Sequence, residues 1–481
     1  MFRRQETSTA YWIVLLMFVA LGASSLGWVS RGYGIPAFSR KYQTSCATCH
    51  NNFPELNDFG LAFKKNGFKF PKDDEQFVKE PPVLLGARAQ KEAFPKAIYP
   101  GEIPGTIPIS FRYSGFASYN SKQPLAAGLG FLPRTDLFTP NTFTIMSAGS
   151  FGQNISWWID DDISAGGSGA AGGLGDGYLK VNDVGHYFHL PRNALNLRFG
   201  QFELDLPFTQ ARTINPTDYD IYDQASIITD PTLGTTSNPF ALGAPQRGIE
   251  IGGYPNNGNF AWSVAVVNGN NDGPAVRNTK DVFVNVWKQF NLERDPEARK
   301  SVQAAGPTGP RDHTSLRLGT FYYYGRNALN VGGTLFPYLP TIHDPFYRIG
   351  GDFRFRYRQF ELYGLGMFGH DANQLVTGEN SNVLMAGPPV NFSGGFAQGE
   401  YWFYPWLIGI MRYDIVNSPM DFQSGLSQNF TRNRLSPGVQ LLLRANIKAL
   451  FEYQRRWEVP IPGASQYFRP NGFVTGVDFV F

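Results

Sequence analysis

The last nine residues alternate in character. Phe473, Val477, Phe479 and Phe481 fall on one face, with Gly476 and Asp478 on the other. A period of two with large aromatic side chains marks a β-strand. The same pattern recurs upstream. Leu195, Leu197 and Phe199 alternate with Asn196 and Arg198. Phe202, Leu204 and Leu206 then alternate with Glu203 and Asp205. The frame slips at Gly200-Gln201, which predicts a β-bulge. Phe353, Phe355 and Tyr357 alternate with Arg354, Arg356 and Arg358. Three arginines on one face are costly in a protein core, so they predict the lining of a wet pore. Leu316-Arg317-Leu318, Leu441-Leu442-Leu443 and Phe451-Glu452-Tyr453 belong to further strands. About sixteen strands are predicted, starting near 107, 141, 154, 178, 196, 246, 259, 280, 313, 347, 358, 391, 406, 433, 447 and 471. An even number of such strands, with one apolar and one polar face, predicts a porin-sized transmembrane barrel with lipid outside and a polar lumen.

Composition agrees with an all-β reading. The chain has 481 residues, 42% hydrophobic and 17% charged, with 15% aromatics, 53 glycines and 34 prolines. A net charge of +3 gives no sign of nucleic acid as a partner, and no apolar run past the N-terminus is long enough for a membrane-spanning helix. The terminal Phe481 on an aromatic strand resembles the assembly signal of bacterial outer-membrane barrels. Strand parity then gives direction. With both ends in the periplasm, the long segments 207–245, 326–346, 369–391 and 418–432 fall outside the cell. The short turns 151–154, 255–258 and 404–406 fall inside, and 293–312 is the exception, a long segment on the periplasmic side.

The N-terminus has a different character. Arg3 and Arg4 precede a largely apolar stretch from Tyr11 to Val29, with small residues following. This reads as a secretory signal peptide over 1–34. Then comes Cys46-Ala47-Thr48-Cys49-His50, which contains the only two cysteines of the chain. A redox disulfide wants a βαβ context, which is lacking, and a zinc site wants four ligands. No second cysteine pair exists, and no other histidine precedes His186. The spacing reads as c-type haem attachment, with thioether bonds from Cys46 and Cys49 and His50 as the proximal iron ligand. The expected cofactor is therefore one covalently bound haem c.

Residues 35–80 form a small helical haem module, 81–106 a linker and 107–481 the barrel. Pro54 and Glu55 suit the start of a helix, Leu56, Phe59 and Phe63 recur at helical spacing, and Asn66-Gly67 suits its end. The apolar face packs on the porphyrin or on the barrel wall. A unit of this size has too little core to fold alone. Its residues include no methionine and no histidine besides His50, so a sixth iron ligand must come from elsewhere or be absent. The candidates are Met146, His186, His189 and His313 near the periplasmic end, with His343 and His370 in outer loops. Asp160-Asp161-Asp162 reads as a solvated strand end or as an attractor for Fe²⁺. Arg354, Arg356 and Arg358 read as solvated lining or as partners of haem propionates.

The stretch Ile35-Pro36-Ala37-Phe38-Ser39-Arg40-Lys41-Tyr42, then Cys46 to His50, then Phe53-Pro54-Glu55-Leu56-Asn57, Phe59-Gly60, Phe63-Lys64 and Asn66-Gly67-Phe68, resembles the outer-membrane cytochrome–porin fusions of iron-oxidising bacteria and their relatives. Over the barrel the likeness is architectural. The resemblance implies electron transfer across the outer membrane, from extracellular Fe(II) to a periplasmic c-type cytochrome or other soluble carrier. It carries over Cys46, Cys49 and His50 as haem residues. It implies an electron carrier, with ferrous-iron oxidation as its activity. Two rival readings are a diffusion porin with a haem-bearing plug or sensor, and an exporter that reduces extracellular acceptors.

Overall fold

The computed structural model describes the chain from residue 37 onward except for connecting segments, the longest being 164–173, 293–313, 331–340, 419–429 and 458–469. The signal-peptide reading and His313 lie outside the described residues.

Sixteen strands form one closed antiparallel barrel. They are β1 (Ile109–Asn120), β2 (Thr135–Phe151), β3 (Ile155–Asp162), β4 (Leu174–Val181), β5 (Asn196–Phe202), β6 (Gln246–Gly253), β7 (Phe260–Val267) and β8 (Asp281–Asn291). The second half comprises β9 (Ser315–Asn330), β10 (Thr341–Tyr357), β11 (Phe360–Asp371), β12 (Val390–Tyr404), β13 (Leu407–Ser418), β14 (Phe430–Arg444), β15 (Ile447–Arg456) and β16 (Gly472–Val480). Each pairs with its sequence neighbour, and β16 closes on β1 in the register Phe473↔Tyr119 to Val480↔Arg112. Every predicted strand is present, with starts within six residues of those expected.

The barrel is inside-out relative to a soluble protein. Ile159, Ile249 and Met411 on its outer face are 47%, 56% and 51% exposed, whereas the inward Arg348, Arg412, Asp414 and Gln398 are buried. That is a lipid-facing exterior around a polar lumen, the architecture of an outer-membrane barrel. Aromatic side chains mark both rims. Phe403, Tyr404 and Trp406 stand at the short-turn end, and Tyr413 and Trp457 pack together toward the other.

Two features depart from the sequence reading. At Gly200 the pairing with β4 and β6 runs through without a slip, so β5 contains no bulge. Gly200 adopts φ +133°, and a Cβ there would collide with the Gly177 carbonyl oxygen on β4. The change of frame arises because the strand ends at Phe202 and the chain leaves the wall. Leu204 and Leu206 are buried in the lumen instead of continuing a strand.

The second departure concerns the β5–β6 connection, expected as an external loop. Its described residues fold back into the barrel. Tyr219 stacks on Phe396 of β12 with ring centroids 3.7 Å apart, and Phe208 stacks on Tyr363 of β11 at 4.8 Å. Phe240 stacks on Tyr323 of β9 at 4.1 Å. Charged lumen residues hold the segment's polar atoms. Arg412 Nη1 donates to the Thr217 carbonyl at 2.8 Å, and Arg434 pairs with Asp220 at 3.1 Å and Asp414 at 3.2 Å. The lumen therefore has a packed aromatic core, which ordinary strand alternation conceals. Arg434→Met is expected to cost about 1–3 kcal/mol, because it removes one partner of the Asp220 and Asp414 carboxylates while Arg412 still holds Asp414 at 2.9 Å. The measurement is the loss of the folded, heat-modifiable gel band with temperature.

Candidate functional site: the N-terminal module inside the lumen

The described N-terminal residues lie inside the barrel at its short-turn end. Helix α1 (Ala37–Tyr42) is joined by a turn of 3₁₀ helix, Cys46–Thr48, to a small hairpin of His50–Asn52 and Glu55–Leu56. Helix α2 (Asp58–Lys65) follows. It starts later than Pro54 and Glu55 suggested. Asn57 is the N-cap, its Oδ1 accepting from Gly60 N at 2.8 Å. The same side chain donates to the carbonyls of Thr48 at 3.1 Å and Ala47 at 3.3 Å, and Asn57 N donates to Cys49 O at 3.0 Å. One asparagine thus caps the helix and fixes the Cys-x-x-Cys turn. Asn57→Ala is expected to cost about 1–2 kcal/mol in module stability, readable as faster proteolysis of the N-terminal segment. Gly60 packs against the same turn, and a Cβ would collide with the Cys49 carbonyl oxygen. Gly60→Val should therefore speed proteolysis of the N-terminal segment more than Asn57→Ala does.

The module is tied to the wall nearly all the way round. Ala37 N donates to Ser110 Oγ on β1 at 2.9 Å, and Phe68 stacks on Trp158 of β3 at 5.6 Å. Lys180 of β4 donates to Lys65 O, and Lys448 of β15 to Phe53 O, each at 2.6 Å. Asn52 donates to Gln440 of β14 at 2.6 Å. On β10, Arg354 pairs with Glu55 at 3.2 Å and Arg356 with Asp58 at 2.7 Å, while Glu361 of β11 braces both guanidinium groups. These arginines are neither solvated pore lining nor residues of the cysteine-lined cavity described below. They clasp the plug. Arg358 does not share their face: β10 ends at Tyr357, and Arg358 lies in the turn with φ +51°.

A cavity of about 640 Å³ opens between module and wall, lined by Cys46, Cys49 and His50. Phe38, Phe63, Phe68 and Phe70 of the module and Ser110, Ser114 and Ala148 of β1 and β2 also line it. The small wall residues leave the space, and the aromatic ones make its floor apolar. The void follows β2 from Ala148 to Thr142, about 20 Å of strand at about 3.3 Å per residue. Its far part is acidic: Asp160, Asp162, Asp176 and Glu203 line it at the long-connection ends of β3, β4 and β5. Asp160 also accepts from Trp158 Nε1 at 3.1 Å. No group of three or more metal-ligating side chains occurs among the described residues.

The chemistry of the motif suits a covalent haem. Cys46 and Cys49 are free thiols, not a disulfide. Burial pushes both thiols up, Cys49 to about 12, with the charge of Cys46 adding to the effect there. His50 Nδ1 lies 3.2 Å from Glu55 O, so that nitrogen carries the proton and donates, leaving Nε2 with a free lone pair. Burial holds the imidazole down to about 4, which keeps it neutral as ligation requires. The cavity is of the volume expected for a drug-sized or cofactor-sized ligand. The residues present therefore fit a haem attached at Cys46 and Cys49 and ligated by His50.

The residues considered as a sixth iron ligand separate clearly. Met146 of β2 lines the cavity. His186 and His189 are exposed on the β4–β5 connection. His343 and His370 stand on the outer face of β10 and β11, where His370 packs on Tyr347 and bonds Asn391. Sequence spacing alone did not separate these residues, because only the closed barrel fixes which wall faces the module.

No protein-family model and no curated protein matches this chain. Solved structures similar to it include the outer membrane channel DcaP of Acinetobacter baumannii, at 12% identity and TM-score 0.45 over 78% of this chain and 96% of that one. An anion-selective porin from Comamonas acidovorans aligns at 12% identity and TM-score 0.48, covering 78% and 99%. Salmonella typhi OmpF aligns at 9% identity and TM-score 0.46, covering 79% and 98%.

Proposed function

We propose that this chain is an outer-membrane electron-transfer protein, with one haem c on Cys46, Cys49 and His50 held in the lumen of the barrel. It passes electrons from extracellular Fe(II) to a periplasmic c-type cytochrome or another soluble carrier. The observation that carries this reading is the position of the motif. Cys46, Cys49 and His50 line a cavity inside a barrel whose lumen also holds a packed aromatic core. A bound haem supplies one-electron chemistry there. The chain's own residues do the rest. His50 presents a neutral nitrogen, the aromatic floor excludes water, and the barrel wall excludes lipid. The cavity brings the redox group closer to the far mouth, shortening the roughly 25 Å apolar band an electron must otherwise cross. Carboxylates at the far end of the void favour approach of a cation over an anion.

The test is to mix purified ferric protein with Fe²⁺ and follow the haem Soret and α bands. Reduction within seconds to minutes is expected. Its absence across acid and neutral pH overturns iron as donor. A second reading, favoured by the porin-sized barrel, is a diffusion channel with the module as plug. Solute uptake into reconstituted vesicles by the intact protein would favour it.

A further inference from the structure

We propose that Met146 supplies the distal ligand of the haem iron, from the barrel wall. This rests on the haem-bearing reading above and adds the residue that the N-terminal module lacks.

The chain has six histidines and seven methionines. Among the described residues, His50 and Met146 are the ones that line the cavity. Met367 is buried in the aromatic core of the lumen, and Met411 faces lipid. The position of Met146 is set by its neighbours. Across the strands it pairs with Ser110 of β1 and Asp160 of β3. Ser110 receives the hydrogen bond from Ala37 N, tying β1 to α1. Ala148, two residues along the same face, is buried against Tyr42, Phe63 and Phe68 of the module. Met146 therefore lies within the stretch of wall that touches the module.

The residue type is also informative. The inward residues around it, Thr142 and Thr144 on β2, Ser110 and Ser114 on β1 and Asp160 on β3, are polar. A thioether at an inward position of β2 gives up a hydrogen-bonding group in a polar lumen. It gains a soft, neutral donor suited to haem iron. Ligation is a dative bond from the Sδ lone pair, with no proton or electron transferred. It would couple the two parts of the chain, since the iron would be bonded to both module and barrel. His/Met ligation raises a haem's potential, which suits a haem that accepts electrons from a weak reductant.

The test uses the purified full-length protein with intact-mass analysis, ferric absorption and electron paramagnetic resonance. Expected for the unaltered chain is a low-spin ferric haem with the weak far-red thioether charge-transfer band. Met146→Ala should lose that band and turn high-spin. Met146→His should stay low-spin without the band and show a lower midpoint potential, which separates lost ligation from lost folding. Met411→Ala should leave all three readouts unchanged. A thioether band that persists in Met146→Ala, or its absence from the unaltered ferric protein, overturns the proposal while leaving the haem reading intact. A mass showing no covalent haem on the unaltered chain overturns both.

Discussion

Replacing Cys46 and Cys49 together with alanine should abolish covalent haem while the barrel still folds. The mass of the chain should drop by one haem, the Soret absorbance should vanish, and Fe²⁺-dependent reduction should go with it. The barrel is expected to survive because the contacts that seat the module do not use the thiols. They run through Asn52, Glu55, Asp58 and Lys65, each paired with a wall or lumen residue. His50→Ala should separate attachment from ligation: both thiols remain, but the iron loses its proximal nitrogen. A Cys46→Ala, Cys49→Ala chain that keeps its Soret band after denaturing extraction would sink the assignment.

The second large effect is electrical. In planar bilayers the intact protein should pass far less current than an unobstructed sixteen-stranded barrel. Two parts of the chain occupy the lumen, the N-terminal module and the β5–β6 connection, joined by the Lys65–Asp205 pair at 2.6 Å. Deleting 207–240 should raise the conductance only in part, because the module still blocks the short-turn end. Breaking the module's clasp with Arg354→Met and Arg356→Met removes two partners of buried carboxylates, each worth about 3–5 kcal/mol. Combined with the deletion, it should give full porin-like steps. Large steps from the unaltered protein would show that the lumen is open and would favour solute diffusion.

The wall of this barrel was legible because lipid and lumen impose opposite demands on successive residues. Phe473 to Phe481 and Phe353 to Tyr357 show that alternation plainly, and the number and order of strands follow from it. The contents of the lumen were much less so. Leu204, Leu206 and Tyr219 look like strand or loop residues, since no local signal says that a connection turns inward. Arg354 and Arg356 were correctly read as inward. Their partners, Glu55 and Asp58, lie about 300 residues away, and pairing at that separation has no local signature. The motif itself was visible from spacing. The wall facing it was not, because it depends on how the barrel closes.

That closure also bears on the N-terminal segment. The first and last strands meet at the β1–β16 seam, where Arg112 of β1 pairs with Asp478 of β16 at 2.9 Å. The module is bonded to the same first strand, through Ser110 and through Arg40 to the Ile109 carbonyl at 2.8 Å. The seam and the module therefore share one strand, so a change at Ser110 would be felt both by closure of the wall and by seating of the N-terminal segment.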